Sequence, residues 1–270
     1  MKQKKWYFIV FILVFIWSVI AHLPASWLYA HVPIQTQASS QTQASLQTNV
    51  ELQGISGTIW KGSVQQLNVE RQQLGSLYWD FQPSQLLTGK AQFKVRFGQN
   101  SELKLAGKGE VGIGFSGAYA KNFVASVPID RLVSQLDLVS KFKQQVPVDL
   151  SGQLELSLRH FSYAQPWCDS ADGDLVWNQG MIDSPIGSIA PGPVIASLKC
   201  TKQTIDMNGT QNSNQVSSQF NINLNKQAQY KLTAWFKPGA EFPESMGKQL
   251  RWLGNPNAEG QYPFTFSGKL

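Results

Sequence analysis

Behind Lys2, Lys4 and Lys5, residues 6–21 form an unbroken run of sixteen apolar or small uncharged residues, and every later stretch reads as β-strand, short helix or loop. At about 1.5 Å of helix rise per residue the run falls a little short of a hydrocarbon layer of about 30 Å. Leu23, Ala25, Trp27 and Leu28 extend the greasy stretch past His22 and Pro24, enough for one span. Lysines on the short N-terminal side stay cytoplasmic under the positive-inside rule, and Trp27 and Tyr29 suit the opposite headgroup layer. The expected layout is a cytoplasmic tail at 1–5, a transmembrane signal anchor at 6–30 and an exported remainder. A cleaved signal peptide is the competing reading. Its apolar core would sit at or beyond the upper length limit, and Ala25 and Ala30 each follow a leucine, Leu23 and Leu28, at the −3 position, so no A-x-A-like site follows.

Residues 31–49 are mostly Gln, Thr, Ser and Ala, too poor in apolar side chains to build a core, and read as a linker. The body is then 50–270, with two halves, 50–147 and 148–270, as one division. It contains both cysteines, Cys168 and Cys200. In an oxidising compartment they can pair; two buried free thiols are the alternative. The net charge of +6 dissolves once the three N-terminal lysines are set aside, leaving 20 basic against 17 acidic residues from 51 onward. With no arginine-rich stripe interleaved with aromatics, nucleic acid is not an expected partner.

Strict alternation of apolar and polar residues marks strands with one greasy and one wet side. Ala91, Phe93, Val95 and Phe97 alternate with Gln92, Lys94 and Arg96, and Phe220, Ile222 and Leu224 with Asn221 and Asn223. The pattern recurs at Leu77, Trp79 and Phe81, at Leu103 and Leu105, at Leu154, Leu156 and Leu158, at Tyr230, Leu232, Ala234 and Phe236, and at Tyr262, Phe264 and Phe266. Strands in succession with Gly, Asn or Ser turns predict an antiparallel meander rather than βαβ units. Two helices are expected within it. One starts near Asp130, carries Leu132, Leu136 and Val139, and stops before Pro147; the other carries Met246, Leu250 and Leu253 and ends at Gly254, before Pro256. The fold class is mainly β: a transmembrane helix, then a curved antiparallel sheet or groove, or a sandwich. Trp60, Trp79 and Trp177 are expected to pack into the apolar face. The stretches Gly57 to Gly62 and Gly173 to Gly180 echo one another as glycine, apolar strand, tryptophan and glycine turn, which two copies of one unit would produce.

Catalytic signatures do not emerge. Gly107, Gly109 and Gly112 spell G-x-G-x-x-G, but the fingerprint needs a helix opening at the glycines, and Val111, Ile113 and Phe115 alternate as a strand, so a hairpin turn and a bare strand are expected instead. His160 stands alone in the body and reads as half-buried, and Asp169, Asp172, Asp174 and Asp183 read as solvated turn residues. No catalytic residue, cofactor or metal site is expected.

More specific than composition requires is the order Gly54-Ile55-Ser56-Gly57-Thr58-Ile59-Trp60-Lys61-Gly62-Ser63, then Leu77-Tyr78-Trp79-Asp80-Phe81-Gln82-Pro83, then Leu86-Leu87-Thr88-Gly89. It resembles the N-terminal part of the type II secretion system protein N (general secretion pathway protein N) family. Leu23-Pro24-Ala25, the bracketing of Gly173 and Trp177 by Cys168 and Cys200, and Leu253-Gly254-Asn255-Pro256 with Gly260-Gln261-Tyr262 are similar to further features of that family. The resemblance implies a single-pass protein of the Gram-negative inner membrane, N-terminus cytoplasmic and C-terminal domain periplasmic, that serves type II secretion without catalysis and touches other components of that machinery. It also implies a distant likeness to AsmA-like proteins, whose curved sheets form a groove for lipid.

Overall fold

The computed structural model describes residues 2–27, 50–69, 72–135 and 148–269. Leu28, Tyr29 and Ala30, the linker, and Leu136, Val139 and Pro147 lie outside them. Helix α1 (Lys2–Ala21) begins inside the basic tail and stops at His22, whose Nδ1 lies 2.8 Å from the Ser18 carbonyl oxygen. The chain then leaves the helix: Pro24 forms an isolated antiparallel bridge with Thr58, and the Ile59 amide donates to the Leu23 carbonyl at 3.1 Å. Residues 23 and 24 therefore join the sheet instead of lengthening α1. Among the described residues no helix is long and apolar enough by itself to cross a membrane.

The body is one sheet of fifteen strands, antiparallel at every pairing. The first half holds β1 (Val50–Gln53), β2 (Ser56–Gly57), β3 (Lys61–Val69), β4 (Gln72–Phe81), β5 (Ala91–Gln99), β6 (Ala106–Gly114) and β7 (Gly117–Pro128). The second holds β8 (Asp149–Ser162), β9 (Ser170–Ser184), β10 (Gly187–Ile189), β11 (Val194–Thr201), β12 (Thr204–Asn212), β13 (Val216–Leu224), β14 (Gln229–Pro238) and β15 (Tyr262–Lys269). Each strand pairs with its neighbour in sequence, except that β2 and β10 are short side pieces on β3 and β9. The division at 147/148 falls between β7 and β8, which are paired from Tyr119 with Ser162 to Pro128 with Gln153. Such local pairing needs only short turns, and among the described residues no second sheet covers the first, so the sandwich alternative does not apply.

The registers carry the alternation from strand to strand. Trp79 pairs with Val95, Val95 with Gly109, Leu156 with Leu175, Leu175 with Ala196, Ala196 with Gly209, Gly209 with Phe220, Phe220 with Ala234, and Ala234 with Phe264. One face is consequently apolar across the whole sheet. Few of its side chains are buried, Val64, Phe81 and Ala196 among them, because a single layer leaves that face half open.

Several local expectations need correction. Leu103 and Leu105 lie in the β5–β6 loop, where Asn100 and Lys104 adopt positive φ and the Glu102 amide donates to the Gln73 carbonyl, which ends the alternation. Gly107, Gly109 and Gly112 are strand residues of β6 and not its turn; the rings of Phe97, Phe123 and Tyr119 cover them. The first helix, α2 (Ile129–Gln135), starts one residue before Asp130. The second is two pieces, α3 (Glu244–Gly247) and a 3-10 turn over Leu250–Leu253, and a further 3-10 turn spans Pro83–Thr88. The internal echo has no structural counterpart: Thr58 to Trp60 is the turn between β2 and β3, whereas Gly173 to Gly180 lies within β9.

Cys168 and Cys200 form a disulfide across a sequence separation of 32, tying the β8–β9 loop to β11. With Ala171 they make the most buried cluster, against which Phe161, Trp167, Leu198 and Ile205 pack. The indole of Trp167 donates to the Asn225 carbonyl at 3.1 Å, so the same loop is also fastened to the β13–β14 turn. Opening the disulfide by the double substitution C168S/C200S is expected to lower unfolding free energy by about 3–4 kcal/mol in the loop-entropy account. Chemical denaturation followed by far-ultraviolet circular dichroism checks it; an unchanged midpoint would assign the bridge no stabilising part.

Candidate functional site

Over the second half of the sheet the apolar face curves into a concavity of about 840 Å³. Its floor comes from strand residues, including Leu154, Leu175, Trp177, Val194, Phe220 and Phe236. Ile129 of α2 closes one side, and Phe242, Met246, Leu250, Trp252 and Leu253 form a lip. The helical pieces thus wall an opening and do not seal a core: Trp252 is 79% exposed and Leu253 64%. Sequence periodicity missed this lip, although Trp252 stands off the Met246, Leu250 and Leu253 stripe, a signal that the turn has a second apolar side.

The chemistry of the concavity is simple. Among the described residues no ionisable side chain lines it. Gln211 is its one buried amide, and its hydrogen bonds are already used. Its Nε2 donates to the Pro191 and Val216 carbonyls, and its Oε1 accepts from Ser218 at 3.1 Å. Trp177 spends its indole N–H on the Ser151 carbonyl at 3.1 Å and presents the rest of its ring to the cavity. Such a surface offers contact area and no reactive group.

The glycine and tryptophan motif of the first half builds a different feature, a latch at the start of the sheet. The Trp79 ring lies across Gly62, its cross-strand partner, so that any Cβ there would fall inside van der Waals contact of the indole. Its N–H is shared by the Thr58 and Ile59 carbonyls, each at 3.2 Å. Gly57, at φ +85°, lets the turn close against the Lys61 carbonyl. Trp60 packs at a tilt against Phe81 at 4.9 Å between ring centroids, and Phe81 likewise against Phe93 at 5.1 Å. Pro83 then opens the 3-10 turn and Gly89 ends it in the left-handed conformation at φ +69°. The latch holds the junction with residues 23 and 24, where Ala25 is buried.

The polar face is held by charges in register. One row runs Lys61, Asp80, Lys94, Glu110, Lys121, His160, Asp172, Lys199 and Asp206 across nine adjacent strands. Opposite charges directly across a strand pair contribute roughly 0.2–1 kcal/mol each. A bulge between Leu158 and His160 puts two β8 residues against Asp172, and Arg159 there reaches both Asp172 and Asp174. The Arg159 guanidinium holds the Asp172 carboxyl below the usual aspartate range. Asp172 and Asp174 are accordingly strand residues in an ion-pair network and not turn residues, and His160 is exposed opposite a carboxylate. Asp169 and Asp183 lie at the two ends of the same region. Among the described residues no group of three His, Cys, Asp or Glu is gathered as a metal site.

Comparison with known proteins adds the family. A family model described as type II secretion system (T2SS), protein N matches residues 48–265. The chain belongs to that family. It is 38% identical over 270 residues, the whole of both chains, to type II secretion system protein N of Vibrio cholerae serotype O1. The protein of the same name from Aeromonas hydrophila is 28% identical over 271 residues, again covering both chains completely, and that of Pectobacterium carotovorum is 24% identical over 215 residues, 80% of this chain and 82% of its own. No solved structure matches. The family is a component of the type II secretion machinery, and the latch, the disulfide and the concavity all fall inside the matched region.

The close fit of Trp79 on Gly62 is expected to make the two positions non-additive. Gly62→Ala should destabilise the wild-type protein clearly and do so less in a Trp79→Ala background, where the clash with the Ser56 carbonyl remains, whereas Trp79→Ala alone should cost about 2–4 kcal/mol, somewhat below full Trp burial. Thermal denaturation of the two single variants and the double variant measures the coupling, and simple additivity would rule out the packing account.

Proposed function

We propose that the protein is a non-catalytic scaffold or assembly factor of the type II secretion machinery, anchored in the inner membrane by α1 with its sheet in the periplasm. The observation that carries this reading is the open sheet. An apolar face that no second layer covers among the described residues, and a terminal strand, β15, with Phe264 39% and Phe266 57% exposed, are surfaces for adding another chain. In such an interaction main-chain hydrogen bonds along the edge supply affinity and the side-chain hollows set the register.

Membership of the family supports the system, and the disulfide suits an oxidising compartment. The anchor is supported by the apolar run from Trp6 to Ala21, whose described side chains are mostly exposed. Sixteen residues rise about 24 Å. The shortfall of about 6 Å from a typical hydrocarbon layer lies within what snorkelling lysines and local bilayer thinning absorb. Lys2, Lys4 and Lys5 stand where such lysines are needed.

Loss of the protein should reduce release of exoproteins, and the intact chain should restore it while the Phe266→Asp variant does not. A photocrosslinker at Thr265 or Ser267, on the free edge, should capture another secretion component from native envelopes. Normal secretion without the protein, together with no captured component, would falsify the reading.

The concavity favours a second reading, an AsmA-like groove that holds lipid. A mostly apolar wall, whose buried amide is already bonded and whose other amide, Gln249, stands exposed, offers a peptide backbone few partners, whereas an acyl chain needs none. Mass spectrometry of the intact purified protein should then find about one acyl lipid per chain, lost in Leu175→Asp. Lipid-free protein with the concavity intact removes this second reading.

A further inference from the structure

The loops after β4 and β6 carry the two most exposed large apolar side chains among the described residues, Leu87 at 92% and Phe115 at 95%. Leu86 is 54% exposed beside the first and Ile113 60% beside the second. The loops touch, since a Cβ at Gly89 would fall on the Phe115 ring. Neither turn needs these side chains for its own geometry. The 3-10 turn is closed by main-chain bonds from Gly89 to Leu86 at 2.9 Å and from Lys90 to Gln85 at 3.1 Å, with the Thr88 hydroxyl donating to the Gln85 carbonyl at 2.8 Å. The β6–β7 hairpin is closed by the Gly114 and Gly117 pair. Polar residues would serve both turns, and a tip this apolar is ordinarily an interaction surface.

Its position says which surface it meets. Both loops lie at the end of the sheet where β4 and β6 finish, and α1 joins the sheet at the same end, through Leu23 with Ile59 and Pro24 with Thr58. At about 4.8 Å per strand, the Phe115 turn lies within about 20 Å of that junction. Adjacent strands rotate by about 20–25°, so the strands nearest β3 are the ones that can share a plane with it, and the apolar tips fall on those. Charge points the same way. Among the described residues the two tip loops hold one charge, Lys90, and no acid, while the loops at the other end are close to balance, with Lys104, Arg131, Lys248 and Arg251 against Glu102, Asp130, Glu241, Glu244 and Glu259.

We infer that this end of the sheet rests on the bilayer that holds α1, with Leu86, Leu87, Ile113 and Phe115 in the interfacial layer and Lys90 among anionic phospholipid headgroups. The inference depends on α1 being the anchor. Together the helix and the tip make two attachments, which fix the tilt of the sheet over the membrane where a helix alone would leave it free to swing.

The test uses the full chain in nanodiscs of phosphatidylethanolamine and phosphatidylglycerol, with its disulfide intact and one added cysteine carrying a polarity-sensitive fluorophore. Leu87→Cys and Phe115→Cys report the tip, Glu102→Cys the far end and Val14→Cys the helix. The tip probes should show blue-shifted emission and lose fluorescence to nitroxide-bearing lipid, less than the helix probe and well beyond the far-end probe. Tip probes quenched no more than Glu102→Cys, with Val14→Cys strongly quenched, would overturn the inference and leave the anchor standing. An unquenched Val14→Cys would remove both. Tip probes shielded only in native envelopes and not in nanodiscs would assign the tip to a protein partner, and the bilayer contact would fall.

Discussion

Everything in this molecule depends on keeping side-chain parity across a long antiparallel ladder. A one-residue slip at any pairing would turn the apolar side chains beyond it to the wet face. The sheet has places where two strands run unequal lengths, and each is absorbed by a bulge that restores parity. Between β6 and β7 the extra residue falls at Asn122, in positive φ, and beyond it Val111 again faces Ala120. Between β8 and β9 Arg159 and His160 share the polar side before Phe161 returns to face Ala171. That bulge also supplies the arginine that bridges Asp172 and Asp174.

Because parity holds, two unlike surfaces extend the width of the sheet without a second layer. The wet one carries charges of alternating sign in register, with ion pairs between Lys61 and Asp80 and from Arg159 to Asp172 and Asp174, and one like-charged cross-strand pair, Arg96 and Lys108. The dry one is steadied by aromatic contacts such as Phe97 with Phe123 and Phe236 with Tyr262, yet stays half open. A protein built this way offers surfaces for contact. Its family places it in type II secretion, and its open face, free edge and apolar tips are the parts available for that work.

Much of this was legible in the residues, for identifiable reasons. Alternation at Phe93, Val95 and Phe97, and at Phe220, Ile222 and Leu224, is a local property that survives any topology, so those strands stand where the periodicity puts them. The body holds two cysteines, and of the two readings open to them, pairing or free thiols, they take the first, as Cys168 with Cys200. Errors arose where a local pattern was short or had two uses. Leu103 and Leu105 alternate over too few residues to outweigh two positive-φ neighbours. The glycines of β6 read as a turn and a bare strand, and only the strand stands, because the rings from other strands that cover it have no signature at the glycine itself.

The amino-acid sequence by itself determined the apolar helix at the start, the period-two strands, their antiparallel order and the family, since each follows from spacing or from motifs within a few residues. Only the tertiary structure decided that the strands make one open layer, that the C-terminal helical turns wall a cavity instead of sealing a core, and that Leu87 and Phe115 meet at the end where α1 joins. Those outcomes depend on curvature and on which loops share an end of the sheet. Both are sums over many pairings, and no single stretch of sequence contains them.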